Sequence, residues 1–275
     1  MAVSVAIFTL NEEVHLPSCL ASLKWCDDIV VVDSFSTDQT RQICASAEVR
    51  FVQHKFEGFG SQRNWALDHV EFKHKWLLVL DADERVPDAL ANELLEIAAR
   101  DPNGTGAYRI RRRFYMWGRW LRYSSLYPTW VVRFVRTDKV RYVDRGHAET
   151  QVVQGLTGDL ANDLIDENLK GIDEWFERQN RYSTKEAEYE LIAEREPLTA
   201  RALWGTDPLM RRALLKRISW KLPMRPVMYF LYSYLWRRGF MDGYDGFVFC
   251  SMKSAFQAMI SAKKHSMRRG PTHGQ

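Results

Sequence analysis

Residues 76–84 read Trp-Leu-Leu-Val-Leu-Asp-Ala-Asp-Glu. A run of five apolar residues ending in acids predicts a buried strand whose carboxyl end carries charge. On an extended segment, acids at i and i+2 point the same way. Pro87 then opens a predicted helix running to Arg100, with proline in its first turn. Upstream the same alternation recurs. Strands are predicted at residues 3–9, 29–33 and 49–53, and helices at 12–24, 37–47 and 62–70, with Ser36 or Thr37 capping the second of these helices. Strand–helix alternation at this spacing defines an α/β fold with a parallel sheet covered on both faces. Ligands in such sheets sit at the carboxyl ends of the strands. Residues 9–11, 33–36 and 81–83 all fall there.

Beyond Gly104 the pattern changes. Residues 107–117, 130–136 and 140–143 read as antiparallel extended segments, separated by turns at Gly118 and at Tyr127-Pro128. Residues 159–196 read as helical, and apolar, aromatic and basic helices are expected from Leu198 onward. The expected organisation is an α/β domain over residues 1–158 and a helical region over 159–275.

The 275 residues are 46% hydrophobic and 27% charged, which excludes a disordered chain. Cys19, Cys26, Cys44 and Cys250 are scattered with no CxxC pair, which excludes a disulfide framework and a zinc site and fits a reducing cytoplasm. The first residues lack a secretion signal, and no run approaches the ~20 apolar residues a membrane span needs. The net charge of +4 is unevenly spread. Residues 200–275 hold 14 basic and 3 acidic residues, and residues 1–199 hold 25 and 32. The basic C-terminal region, with aromatics at residues 229–236 beside Arg225, Arg237 and Arg238, suits an anionic membrane leaflet. No nucleic-acid motif accompanies it, and no nucleic-acid partner is expected.

Five clusters carry chemistry. Asp81 and Asp83 match the carboxylate preference of Mg²⁺ or Mn²⁺, which keep positions open for phosphate. Asp33 ends the second strand, where it can accept from a base or ribose; Thr37 and Asp38 beside it read as helix caps. Thr9, Asn11 and Glu13 follow the first strand, where they can line a nucleotide pocket, and Asn11 serves equally as a cap. Gly58 and Gly60 permit close backbone approach, with Arg63 available for a diphosphate or a base edge. His147 and Glu149, in Asp144-Arg-Gly-His-Ala-Glu149, are alternative general bases.

The set TLNEE, DSFSTDQT, GFGSQRNWAL and LDADERV, in that order and spacing, resembles the family 2 glycosyltransferases. The nearest likeness is to the branch acting in bacterial lipopolysaccharide-core and exopolysaccharide synthesis. Tyr127-Pro128 with Arg133, then DRGHAE, WFERQNRYSTKEA and RRGFMDGYDGF, extend it over nearly the whole chain. The resemblance implies a GT-A fold, Rossmann-like with a mostly parallel sheet flanked by helices and a C-terminal helical basic extension. It implies inverting transfer of a sugar from a nucleotide-diphosphate donor to a glycan or lipid-linked acceptor, with Mg²⁺ or Mn²⁺ as cofactor. Thr9, Asn11, Glu13, Asp33 and Arg63 would then line the donor pocket, Asp81 would sit near ribose and metal, and Asp83 would bind the metal. Glu149 or His147 would be the base, Glu149 being favoured. The enzyme would be cytoplasmic, with peripheral contact to the inner membrane face. Family members usually carry glycine where Phe35 stands, and often a histidine where residues 166–168 read Asp-Glu-Asn.

A nucleotidyltransferase would share the acid pair and metal but needs a Gly-rich basic loop after the first strand, where this chain has Asn11-Glu12-Glu13. A non-enzymatic basic binding module is the other reading, permitted by the charge of the C-terminal region.

Overall fold

The computed structural model describes residues 3–145, 148–195, 214, 217–220, 222 and 224–269. The chain forms two compact units, residues 1–171 and 172–275.

In the first unit, strand β1 (Val3–Thr9) is buried along nearly its whole length, so both of its faces are covered. It pairs in parallel with β2 (Ile29–Asp33) on one side and β4 (Trp76–Asp81) on the other; β3 (Arg50–Gln53) extends the sheet beyond β2. From β1 the chain builds outward through β2 and β3, then returns to place β4 against the other edge of β1. That reversal is a topological switch point, and it opens a crevice at the carboxyl ends of β1 and β4. Helices α1 (Leu16–Ala21), α2 (Thr40–Ser46) and α4 (Asp88–Arg100) cover one face, where Leu16, Cys44, Leu90 and Leu94 pack on Ile7, Leu78 and Leu80. Helix α3 (Phe59–His69) covers the other, with Ala66 on Val30 and Val32. Helices α1 and α2 are shorter than their apolar spacing predicts. Residues 11–15 and 36–39 remain as loops because their polar groups bond one another across the sheet edge rather than continuing a helix.

The antiparallel segments are β6 (Thr105–Met116), β8 (Thr129–Arg136) and the hairpin β9 (Val140–Arg145) with β10 (Ala148–Val153). Strand β8 joins the sheet against β4, and β6 follows it, with the short β7 (Arg119–Trp120) on its far end. Leu156–Asn168 is a strand, β11, lying parallel to β6, and not the start of a helix. The helical reading of residues 159–168 is thereby corrected. Leu160 and Leu164 are buried in the core, while Arg109, Arg111 and Arg112 bind Asp159, Asp163 and Asp166 across the strand pair. Acidic residues facing arginines on a neighbouring strand look polar enough for a solvated helix when read alone. The sheet therefore runs ten residues past the expected boundary at 158, and the compact units meet at Gly171. The last addition is β5 (Glu84–Arg85), antiparallel to β11.

The second unit is helical. Its long helices are α5 (Ile172–Glu194) and α7 (Gly243–Arg269), with α6 (Arg225–Leu231) and a π-turn (Tyr232–Trp236) between them. Glu190, fully buried on α5, pairs with Lys264 of α7 at 2.7 Å and Arg225 of α6 at 2.9 Å. One carboxylate thus holds three helices. Glu190→Ala would leave Arg225 without this carboxylate and Lys264 with Glu194 alone, at 2.8 Å, and removing one member of a buried ionic cluster costs about 3–5 kcal/mol. The variant is expected to lower the unfolding midpoint sharply in denaturant titration, and an unchanged midpoint would contradict this role. All four cysteines are free, and Cys19, Cys44 and Cys250 are buried. Among the described residues no helix is long and apolar enough to cross a membrane.

Candidate active site

The crevice is built from loops that the sheet delivers to one edge. At the ends of β1 and β2, Thr9 Oγ1 donates to Asp33 Oδ1 at 2.9 Å. Asp33 is fully buried and also accepts from the Ser36 backbone and hydroxyl and from Gln53 Nε2. Ser36 therefore holds Asp33 and does not cap a helix. Four donors fill the acceptor sites of the Asp33 carboxylate, so a nucleoside contact there replaces one of them. Asn11 adopts φ +56° and binds the second loop twice, accepting from Thr37 N at 2.8 Å and donating its own N–H to Ser36 Oγ at 2.7 Å. Glu13 is exposed and accepts from the Gln39 backbone beside α2, while Asp38 accepts from the Glu13 and Thr40 backbones. Phe35 takes φ +62°, the backbone region glycine favours, and stands 56% exposed. The backbone path of a glycine is thus kept at a cost of about 1–2 kcal/mol.

The centre of the site is Arg63, 3% exposed on α3. One guanidinium nitrogen binds Asp81 at 2.9 Å and another binds Glu149 at 2.8 Å. The rings of Phe8, Phe59 and Tyr142 surround the guanidinium at 5.4–5.9 Å. Asp81 and Glu149, 68 positions apart, meet through this one side chain. Glu149 lies on β10, and α3 carries the hairpin. Asn64 clasps the Tyr142 backbone, with Nδ2 donating to the carbonyl at 2.8 Å and Oδ1 accepting from the N–H at 2.9 Å. Asp144 accepts from Gly60 N at 2.7 Å and from the Ser61 backbone and hydroxyl, at the start of α3. A Cβ on Gly58 would lie 2.5 Å from Asp144 Oδ2. The two glycines therefore admit Asp144, a carboxylate of the chain itself, where the sequence suggested a bound ligand. His147 lies outside the described residues.

Asp81 also binds Arg133. Burial would raise its pKa, but the charges of Arg133 and Arg63 outweigh burial and hold it at about 2. Arg133 reaches this position through a bulge. Tyr108 and Arg109 are consecutive on β6, yet they pair with Phe134 and Val132 of β8, leaving Arg133 as the extra residue. Bulges re-aim side chains in this way. The same guanidinium binds Glu84 at 2.9 Å, and Glu84 Oε2 accepts from the Asp81 backbone N–H at 2.9 Å. Asp83 sits in the turn between β4 and β5, not on the extended segment the sequence suggested; it is half-buried, and its carbonyl accepts from the Glu167 N–H at 3.0 Å. Asp166 pairs with Arg112 at 3.1 Å. Burial pushes Glu84 up to about 7, against the pull of Arg133, and pushes Asp166 up to about 8, against Arg112. Asn168, two residues further along the same face of β11, is 9% exposed, and its Oδ1 has no hydrogen-bond partner.

Sequence reading placed Asp33, Asp81 and Thr9 at one edge and missed Glu84, Arg112, Asp166 and Asn168. The last three stand on strands read as generic or as helix. Arg133 was visible only as part of a motif. Half-buried Glu12 and buried His15, which tie the first loop to Leu169 N and Lys170, carry no pattern that marks them.

A sheet edge that gathers acids and arginines at a switch point is where an α/β fold of this kind binds its ligand, and comparison with known proteins gives the family. The model for Glycosyl transferase family 2 matches residues 4–161, and the chain belongs to that family. It is 29% identical, over 98% of its length and 96% of the relative's, to the lipopolysaccharide core biosynthesis glycosyltransferase LpsC of Rhizobium meliloti (strain 1021). An uncharacterized glycosyltransferase of Rickettsia bellii (strain RML369-C) is 26% identical over 95% of this chain and 85% of its own. Among solved structures, the mannosyltransferase PcManGT from Pyrobaculum calidifontis, in complex with GDP-Man and Mn²⁺, aligns with a TM-score of 0.55 at 15% identity, covering 97% of this chain and 87% of that one. The fold is GT-A and the chain is a glycosyltransferase, as its motifs imply. The nucleotidyltransferase and binding-module readings are not favoured.

Proposed function

We propose that this enzyme transfers a sugar, with inversion, from a nucleotide-diphosphate sugar to a glycan or lipid-linked glycan acceptor in cell-surface polysaccharide synthesis. The observation that carries this reading is the Arg63 bridge, which puts Glu149 beside the acid-bearing end of β4. In the reaction Thr9, Asn11 and the Asp33 loop hold the nucleoside at the ends of β1 and β2, with Glu13 bracing the neighbouring loop. Asp81, fixed by two arginines, orients the donor at its ribose. Glu149 takes the proton from the acceptor hydroxyl as its oxygen attacks the anomeric carbon in line. The nucleoside diphosphate leaves, and no covalent enzyme intermediate forms.

The residues fit a divalent cation. Asp81, Asp83, Glu84, Glu149 and Asp166 supply five carboxylates against the guanidiniums of Arg63, Arg112 and Arg133. Asn168 adds a buried oxygen with no partner. Among the described residues no group of three His, Cys, Asp or Glu side chains forms a closed metal cage. Mg²⁺ is typically held by one or two carboxylates with phosphate oxygens completing its shell. Asp83, with Asn168 Oδ1, would hold the ion. Bound there, it would neutralise charge on the departing diphosphate.

A thermal-shift screen of nucleoside diphosphates and nucleotide sugars, each with and without Mn²⁺, tests this reading. Stabilisation by one nucleotide, dependent on the cation, is expected; no response to any of them would overturn it.

We further infer a cytoplasmic enzyme that touches an anionic membrane through the second unit. There Met224, Trp236 and Tyr244 are each more than two-thirds exposed, beside Arg237 and Arg238. Such a surface suits the interfacial zone of a bilayer. Flotation with anionic liposomes, lost in Trp236→Ala with Tyr244→Ala, is the expected result. Recovery of the parent protein in the pellet alone would count against it.

A further inference from the structure

Residues 105–136 contain eight arginines and no Lys, Asp or Glu. Two of them, Arg112 and Arg133, belong to the site described above. Arg109, Arg111 and Arg113 alternate along β6, so their side chains share one face of the sheet. Trp130 lies opposite Arg111 in the register and stands under both Arg109 and Arg111, at 5.3 and 5.7 Å. Trp120 on β7 stands under Arg113 and Arg122, at 5.0 and 5.4 Å. The result is a strip in which guanidinium and indole alternate.

Among the described residues, charge along this strip is not balanced. Asp159 pairs with Arg109 at 2.7 Å. Asp163 is shared, binding Arg111 and Arg113 at 2.6 Å each. Two carboxylates thus face four guanidiniums, and Arg109, Arg113 and Arg122 are exposed enough to meet a ligand. A single shared carboxylate holds Arg111 and Arg113 in fixed orientation, which lowers the entropy lost on binding an anion.

Position gives the strip its meaning. Strand β8 runs antiparallel to β4, pairing Arg136 with Trp76 and Phe134 with Leu78. Trp130, four residues before Phe134, therefore lies toward the carboxyl end of β4, where Asp81 stands. Its face is that of Val132 and Ala107, which pack with Val79, the residue two before Asp81. The strip continues outward from the catalytic edge on the side that carries Arg63 and Glu149.

We propose that this strip binds the acceptor, and that the acceptor is an anionic glycan whose carboxylate or phosphate groups pair with the arginines while its sugar rings lie on the indoles. Guanidinium presents paired donors that match carboxylate and phosphate oxygens. An indole offers a flat apolar face and little conformational entropy to lose. A neutral acceptor would need the indoles alone, and the excess charge would serve no purpose. The proposal rests on the glycosyltransferase reading for its biological role, but it concerns binding that needs neither donor nor turnover.

The test is titration calorimetry of the full chain with oligogalacturonate as the carboxylate probe, a phosphorylated mannan fragment as the phosphate probe, and maltohexaose as the neutral one. Binding of at least one anionic probe, weakening with salt, is expected. Arg109→Ala with Arg122→Ala should weaken it at least tenfold. Both positions are solvent-exposed, so the fold should persist, and nucleoside-diphosphate thermal shifts should be unchanged. Asp159→Asn should tighten the same probe several-fold, because it leaves Arg109 without its counter-charge; a merely structural role for the strip would not produce that sign. Which anionic probe binds identifies carboxylate or phosphate as the recognised group. Equal affinity for maltohexaose, unchanged affinity in the arginine variants, or equally tight binding of single-stranded DNA with the same variant dependence would each overturn the proposal. Failure of the glycosyltransferase reading would show instead as loss of the nucleotide response in the parent protein.

Discussion

Asp83→Ala is expected to lower sugar transfer by at least ~10³-fold and to remove its dependence on Mg²⁺ or Mn²⁺ in the same step. Electrostatic stabilisation of a leaving group in an enclosed site is the largest single contribution in many enzymes, worth about 10²–10³ for one donor group alone. Asp83 is a half-buried carboxylate in a turn of only two residues between β4 and β5, held at its backbone by Glu167 N. The substitution removes the carboxylate and leaves that backbone bond in place, so the fold should survive. Two measurements separate the roles. Cation titration followed by thermal shift in the presence of a nucleoside diphosphate should show the metal response lost. Steady-state transfer should fall in parallel. Normal turnover with the usual cation dependence would sink the assignment of Asp83 to the metal.

Glu149→Gln is expected to lower transfer by ~10²–10⁴-fold, the range a positioned general base contributes, while donor affinity stays near that of the parent. Glutamine keeps the shape and can still accept from Arg63 Nη1, so the bridge to Asp81 is weakened rather than broken. Glutamine cannot take the acceptor proton. Slow hydrolysis of the donor by water, which depends on Asp81 and the metal, should persist. Transfer within threefold of the parent would exclude Glu149 and move the role to His147. Arg63→Lys is the informative partner. A lysine cannot hold two carboxylates in a fixed fork, so both donor orientation and transfer should suffer.

The parallel half of the fold was legible because its signals are local. Runs such as Val3–Thr9 and Trp76–Asp81 need burial on both faces, and the acids that end them have nowhere to lie but the sheet edge. The antiparallel half was harder. Strand β11 sets Asp159, Asp163 and Asp166 among apolar residues, and these acids are paired by Arg109, Arg111 and Arg112 of β6. No window of sequence contains both partners. The two glycines at the start of α3 were read as permitting close approach of a ligand for the same reason. Asp144, which occupies the space, lies more than eighty residues away.

By itself the sequence determined the α/β class, the strands that meet at the switch point and the candidate site residues Thr9, Asp33, Asp81 and Asp83, since hydrophobic period and strand ends are properties of neighbouring residues. Only the tertiary structure decided which side chains those residues meet. It joined Asp81 to Glu149 through Arg63, brought Arg133 in on a bulge, and set Glu84 and Asp166 within electrostatic reach of Asp83. Charge held in low dielectric is governed by distance in space, and that distance is set by strand register, not by position along the chain.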